Sequence, residues 1–307
     1  MSNLISKIIH KPEKIFYGFQ KAGLMDWMSD EKYLKFTYRL IFRRKLNLDD
    51  PKAYTEKLAW TKLHWRSSLV EKCSDKYKVR EYVKEKLGSD AEKYLNEIYG
   101  VWDRVEDIDF DNLPNKFVIR PTNGSGDVLI CNDKRKLKLN KAKKHLEKNK
   151  DNSFARLARE WVYYNLEQRF LVEKIIESKD GGAIKDYKFF CFHGKPKFLY
   201  VCSEREIEPR FNFYDLEWNP IPVINGHKVM KSVSKPNMFE EMIELAKKLS
   251  EDFPHVRVDL YQENGRIYFG ELTFYHAGGF IKFEPDKYDF EFGEYLDLRK
   301  IPKNEIV

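Results

Sequence analysis

Between Val256 and Phe274 the chain alternates apolar and polar residues in two short runs. Val256, Val258 and Leu260 alternate with Arg257 and Asp259, and Leu272 and Phe274 alternate with Glu271 and Thr273. Alternation with period two marks strands that bury one face and turn the other to polar surroundings. A chain carrying such a hairpin must set a sheet against a core, and the polar face then gathers an arginine, two carboxylates and a hydroxyl. Register decides whether those groups meet. A two-residue Asn264-Gly265 turn pairs Asp259 with Gly270 and sends Glu271 to the opposite face, whereas a three-residue loop keeps Asp259 and Glu271 together. The apolar alternation requires the second arrangement, so the sequence predicts Glu263-Asn264-Gly265 as the loop, with Gly265 left-handed.

Upstream, the first third reads as mostly helical. From Asp75 to Leu87, Val79, Tyr82, Val83 and Leu87 recur at helical spacing and Gly88 supplies a stop. The Asp/Asn/Pro-rich connection from Asp103 to Asn115 marks a boundary, giving a helical region over 1–112 and a second unit over 113–307. Within the latter, 113–176 carries a glycine-bearing hairpin and 177–307 the acidic one. The hairpin has strands at Phe117 to Arg120 and Val128 to Cys131 around the loop Thr122 to Gly126. A basic helix is expected over Lys134 to Lys150, strands at Phe170 to Ile176, Asp186 to Phe192 and Lys197 to Ser203, and a helix from Met238 to Leu249. This order is α+β, not an alternating βαβ series.

Composition narrows the classes of function. With 42% hydrophobic and 15% aromatic residues the chain packs a core. The net charge of +7 comes from 56 basic residues interspersed with 49 acidic ones, and no nucleic-acid-binding signature accompanies it, so a phosphate-bearing small ligand is expected and no nucleic acid. Cys73, Cys131, Cys191 and Cys202 form no C-x-x-C pair, which argues against zinc and disulfides and for reduced cytoplasmic thiols. No apolar run approaches the ~20 residues that span a bilayer. Leu4, Ile5, Ile8 and Ile9 have helical spacing, suited to docking on the chain's own domain or to peripheral membrane contact.

The polar residues suggest chemistry. Two neighbouring carboxylates repel unless a cation or proton lies between them. Asp259 and Glu271, hard oxygen donors without histidine or cysteine, suit magnesium; the alternative is a surface salt bridge of either with Arg257. Asn123-Gly124-Ser125-Gly126 exposes backbone N–H groups of the kind phosphates accept, or forms a plain turn. It is neither a P-loop, lacking Gly-Lys-Ser/Thr, nor a dinucleotide fingerprint, which opens a helix. Arg120 ends the strand before it, where a cation meets phosphate. Asp186 and Lys188 share a strand face continued by Phe190 and Phe192. Glu173-Lys174-Ile175-Ile176 closes an apolar strand with two charges, placed to line a ligand or to snorkel to the surface. His193, Tyr275, His276 and Lys282 have no assigned partner.

The segments KFVIRPTNGSG, FLVEKIIE, KDYKFFCFHGKPKF and VRVDLYQENGRIYFGELTF, with LNLDDPKAYTEKLAWTKLHW and DKYKVREYV before them, resemble the TupA-like ATP-grasp family. The resemblance implies an ATP-grasp fold, two α+β subdomains clasping ATP, preceded by the helical region. It implies that Arg120 touches the nucleotide phosphates and that Asn123, Gly124, Ser125 and Gly126 fold over them. Glu173, Lys174, Ile175 and Ile176 then present backbone to adenine, with Asp186 near the ribose. Asp259, Glu271 and Thr273 become magnesium ligands, and Arg257 and Lys188 the catalytic cations, Arg257 steadying an acyl phosphate. Thr273 stands where the wider superfamily has asparagine, and Arg120 where it has lysine. The implied activity is ATP-dependent ligation of a carboxylate, a sugar acid or amino acid, to an amine in bacterial surface polysaccharide synthesis. The alternative is a glycosyltransferase using a sugar nucleotide and a divalent metal.

Overall fold

The computed structural model describes residues 23–124, 128–147, 153–178, 184–203, 209–230 and 232–307. Two sheets of antiparallel strands organise it. The smaller contains β1 (Ile98–Trp102), β2 (Phe117–Pro121), β3 (Leu129–Cys131) and β4 (Phe170–Glu173) in the order β1-β4-β2-β3. The larger contains β5 (Asp186–Phe192), β6 (Lys195–Ser203), β7 (Arg210–Asp215), β8 (Pro220–Ile221), β9 (His255–Glu263) and β10 (Arg266–Thr273), ordered β10-β9-β5-β6-β7-β8. Every residue of β5 is buried, as a central strand covered on both faces must be. Its aromatic run Phe189-Phe190-Cys191-Phe192 supplies apolar bulk to both sides.

Five helices precede the first strand: α1 (Asp30–Phe42), α2 (Tyr54–His64), α3 (Ser68–Ser74), α4 (Val79–Leu87) and α5 (Ala91–Tyr94). Gly88, at φ 57°, ends α4 as the sequence predicts. These helices do not keep to a core of their own. Tyr54, Leu58, Val70, Cys73, Val79, Tyr82 and Val83 pack into one continuous core with Phe190, Phe192, Val256, Val258 and Leu272 of the larger sheet and with Phe274 just beyond it. A smaller cluster joins α1 to Ala59 of α2. The smaller sheet has a separate core built from Phe117, Ile119, Cys131, Phe170 and Val172 with Val105, Ile108 and Phe110.

Later helices are α6 (Leu139–Glu147), α7 (Ser153–Ala158), α8 (Phe239–Ser250) and α9 (Lys287–Glu294). Helix α8 buries Phe239, Met242, Leu245, Ala246 and Leu249 at helical spacing against β5, β6 and β9. Its acids Glu240 and Glu241 lie in the first turn and Lys247 and Lys248 in the last, which complements the helix dipole.

Several boundaries differ from the sequence reading. The basic segment expected as one helix begins with a 3-10 turn, Lys134–Lys136, before α6 starts at Leu139. Strand β1 precedes the boundary expected at 112/113 yet pairs with β4 of the smaller sheet. Strands β7 and β8 had no counterpart in the sequence reading. Leu4, Ile5, Ile8 and Ile9 lie outside the described residues. Among those described, no helix is long and apolar enough to cross a membrane, and the four cysteines are buried and free.

Candidate active site

The β9–β10 hairpin brings Asp259 beside Glu271, but not by the expected loop. Glu263 pairs with Arg266, so the turn is the two-residue Asn264-Gly265, and both residues are left-handed at φ 55° and 72°. Asn-Gly is the sequence best suited to that primed turn, and it closes the hairpin one residue earlier than the alternation alone implied. The expected Glu263-Asn264-Gly265 loop is therefore corrected. Register is restored by a slip at Gly270: Phe269 faces Leu260, and the next pair is Glu271 with Asp259. A Cβ on Gly270 would lie 2.8 Å from Tyr261 Cε2 and 3.0 Å from the Asp259 carbonyl oxygen. Only glycine fits that bulge.

Register then writes a charged row across the sheet. Glu271 of β10 pairs with Asp259 of β9, Asp259 with Lys188 of β5, and Lys188 with Tyr200 of β6. In the adjoining row Thr273 pairs with Arg257, and Arg257 with Phe190. Arg257 Nε and Nη2 donate to Asp259 Oδ1 and Oδ2, each at 2.7 Å, and Nη2 also donates to Thr273 Oγ1 at 3.0 Å. Lys188 Nζ donates to Asp259 Oδ2 and lies 3.4 Å from Asp186 Oδ2. Asp186 and Asp259 are fully buried. Burial disfavours the Lys188 ammonium, but Asp186 and Asp259 outweigh it and hold its pKa above the ordinary lysine range. Asp259 thus does pair with Arg257, in the interior and not at the surface.

The lattice continues into a residue without an assigned role in the sequence. Arg257 Nη1 is 2.8 Å from His276 Nδ1. Arginine has only donors, so Nδ1 accepts and the ring proton sits on Nε2. Burial, with Arg257 and Lys188 nearby, depresses the His276 pKa well below the usual value, which keeps the ring neutral. Nε2 faces the Asn225 amide at 3.4 Å. Turning that amide over places its oxygen, which is buried without a partner as assigned, onto the ring N–H. His276 and Asn225 therefore orient the arginine from behind.

The glycine tip lies on the opposite wall. Thr122, Asn123 and Gly124 are described, whereas Ser125 and Gly126 lie outside the described residues. Asn123 is buried and donates to the Leu166 carbonyl at 3.2 Å, while Gly124 is left-handed at φ 71°. Lys76, from the turn between α3 and α4, ties this tip to the acidic hairpin. Its N–H donates to the Thr122 carbonyl at 2.7 Å, its Nζ to the Gly124 carbonyl at 2.5 Å, and Nζ lies 3.4 Å from Glu271 Oε2. The sequence reading gave Lys76 no role, since it is distant in the chain from both partners. Its one signal was its place in the stretch DKYKVREYV.

Arg120 and Glu173, on neighbouring strands β2 and β4, approach to 2.9 Å. Burial works against the Arg120 charge, yet Glu173, Tyr261, Glu271 and Asp186 raise its pKa on balance; acids of the larger sheet thus act on a cation of the smaller one. Lys174 donates its N–H to the Glu97 carbonyl at 3.0 Å, and its own carbonyl accepts from Asn96 Nδ2 at 2.8 Å. The backbone groups of Ile175 and Ile176 form no hydrogen bond with another described residue. Asn264 Nδ2 donates to the Glu177 carbonyl at 2.9 Å, which links the hairpin tip to this edge.

Asp259, Glu271 and Thr273 match magnesium in donor type, two carboxylates and a hydroxyl on one face. Both Asp259 oxygens are bonded to cationic side chains, so Glu271, with 34% of its side chain exposed, is the donor most accessible from the cleft. Among the described residues no group of three or more His, Cys, Asp or Glu gathers closely enough to hold a metal by itself. Ligand oxygens and water would have to complete any coordination sphere.

Two antiparallel sheets with a glycine turn on one and a cation–carboxylate lattice on the other define a protein of ATP-grasp architecture. More narrowly, the chain belongs to the TupA-like ATP-grasp family, whose model matches residues 56–297. No curated protein matches it. Similar solved structures include the D-alanine–D-alanine ligase of Helicobacter pylori, at 15% identity and TM-score 0.45 over 79% of this chain and 69% of that one. The corresponding ligase of Bacillus anthracis shows 17% identity and TM-score 0.37 over 68% and 59%. Carboxyaminoimidazole ribonucleotide synthase of Aspergillus clavatus, complexed with ATP, shows 10% and 0.39 over 66% and 45%. The chain thus spans less than two thirds of the length of the latter two, and at these TM-scores none of the three assigns a residue or substrate to it.

Proposed function

We propose that this chain is an ATP-dependent ligase that joins a carboxylate to an amine through an acyl phosphate. The observation that carries this reading is the buried Arg257–Asp259–Lys188 lattice, placed across from a glycine tip that Lys76 ties to Glu271. Phosphoryl transfer asks a protein chiefly for positioning and charge neutralisation, and fixed cations beside the glycine tip supply both. Arg120, Lys76 and the glycine tip receive the phosphates, while Ile175 and Ile176 offer backbone groups to adenine, with Glu173 and Asp186 flanking the nucleotide. Arg257 and Lys188 face the group that becomes the acyl phosphate. Asp259, Glu271 and Thr273 would hold magnesium, which supplies charge neutralisation at the terminal phosphates.

The acid is a sugar acid or an amino acid, and the product belongs to bacterial surface polysaccharide synthesis on the cytoplasmic side; the family membership supports this assignment. The test is incubation with ATP, magnesium, a panel of uronic acids and a panel of amino acids. Phosphate should be released in step with an amide, and Glu271→Ala should lower that rate about 100-fold. Undiminished turnover in Glu271→Ala would remove the metal assignment. A transfer that needs a sugar nucleotide and ignores ATP would replace the ligase with a glycosyltransferase.

A further inference from the structure

The chain's positive charge gathers at one end. Residues 1–45 hold ten Lys and Arg against four Asp and Glu, a net charge of +6, and residues 46–307 add only +1 to reach the total of +7. Such an asymmetry points to a polyanionic partner for that end. Helix α1 shows where the charge lies. Tyr33, Leu34, Thr37 and Tyr38 turn inward and are buried. On the outer side Lys32, Lys35 and Arg39 recur at helical spacing, Arg43 and Lys45 follow beyond the last turn, and all five are exposed. The ion pairs of this segment are Lys35 with Glu31, Arg44 with Asp286 and Asp289, and Arg159 with Asp30. Lys32, Arg39, Arg43 and Lys45 are left without an acidic partner among the described residues.

Apolar side chains stand beside these cations. Trp27, in the turn before α1, is 79% exposed, more than any other large apolar residue described, and Leu24 is 57% exposed. Trp27 Nε1 donates to the Leu24 carbonyl at 3.0 Å, which holds the two together. The helix cannot roll to hide its outer face. Tyr33 Oη donates to the Leu157 carbonyl at 2.9 Å, Arg159 Nη2 donates to the Met25 carbonyl at 3.2 Å, and Phe280 packs against the α1 cluster. Leaving tryptophan and leucine in water costs free energy. At a membrane interface, indole sits at headgroup level and basic side chains meet lipid phosphates. A soluble polyanion would use the cations and leave the apolar pair in water.

We propose that the outer face of α1, with Leu24 and Trp27, docks on an anionic phospholipid bilayer. Asp26 and Glu31 are exposed on the same stretch, but the cations outnumber them. Headgroup contact and two apolar side chains give an attachment that is reversible and sensitive to salt. Phe280 follows directly on the turn that leaves the acidic hairpin, so the docked face borders the proposed active site.

The test is co-sedimentation of the full chain with vesicles of phosphatidylcholine, with and without an equal part of phosphatidylglycerol. The chain should bind the anionic vesicles and leave them in high salt. A triple variant, Lys32→Gln with Arg39→Gln and Arg43→Gln, should bind about 100-fold less tightly, and Trp27→Ser about tenfold less. Both should melt as the wild type does, since the replaced side chains are exposed. Tryptophan emission should move to shorter wavelength on anionic vesicles, and that movement should shrink in Trp27→Phe. No binding to the anionic vesicles would overturn the proposal. So would equal binding to phosphatidylcholine alone, or binding that both variants keep in full, which would give the contact to another part of the chain. Retention on heparin without vesicle binding would assign the face to a soluble polyanion. A dimer in gel filtration that the triple variant dissolves, again without vesicle binding, would assign it to a second copy of the chain.

Discussion

The two walls that carry the proposed site are built on different terms. On the larger sheet each charge is bonded to its neighbour: both Asp259 oxygens accept from Arg257, Lys188 joins one of them, and Thr273 and His276 complete the arginine. On the smaller sheet Arg120 Nε and Glu173 Oε2 are 2.9 Å apart, yet both atoms are buried without hydrogen-bond geometry. The contact there is charge alone. One wall is preorganised, and the other holds a cation whose donors remain to be aimed. A nucleotide would find a fixed platform on one side and an adjustable grip on the other.

That contrast can be broken most forcefully at Asp259. Asp259→Asn leaves Arg257 and Lys188 in the interior without their shared counter-charge. Chemical denaturation should show a loss of about 3–5 kcal/mol, and an unchanged midpoint would mean the larger wall is no more preorganised than the smaller. Next comes Gly270→Ala, which drives a methyl group against Tyr261 and the Asp259 carbonyl. It should cost about 1–3 kcal/mol in the same measurement and, by disturbing the slip that aligns Asp259 with Glu271, lower ATP turnover as well. A variant of wild-type stability and activity would show that the bulge does not set the register.

Lys76→Met sharpens the comparison with the smallest effect on folding. Lys76 and Glu271 form a partly exposed pair, so stability should move by less than about 1 kcal/mol. Calorimetric titration should nonetheless show ATP binding about tenfold weaker, a change of ~1.4 kcal/mol, because the cation that joins the two walls is gone. Unaltered affinity would mean Lys76 fastens the glycine tip without meeting the nucleotide.

Much of the larger wall was legible in the sequence because alternation is a local signal. The common face of Arg257, Asp259, Glu271 and Thr273 follows from it, and Lys188 joins them through the regular pairing of β5 with β9. The turn was misread because two local signals compete. Asn-Gly favours a two-residue turn, alternation favours an odd loop, and the chain satisfies both by placing the extra residue at Gly270. The glycine was the clue, but its meaning depends on Tyr261 packing across the strand pair.

Lys76 and His276 were not legible as members of one site. Lys76 reaches Gly124 across 48 residues of chain, and the neutral state of His276 depends on burial that no spacing reveals. Strands β7 and β8 escaped notice because they lie at the margin of the sheet, where fewer positions are buried on both faces.

The shared core has a practical consequence for dissection. A fragment starting at residue 113 would keep most strands of both sheets but discard α2, α3 and α4, whose Tyr54, Leu58, Val70, Cys73, Val79, Tyr82 and Val83 pack into the core of the larger sheet. Lys62, Lys76 and strand β1 would go with them. The exposed underside would favour self-association, and the remaining acids would have lost cations that now temper them. Transplanting this catalytic unit therefore means moving the leading helices too, as an integral part of the machine.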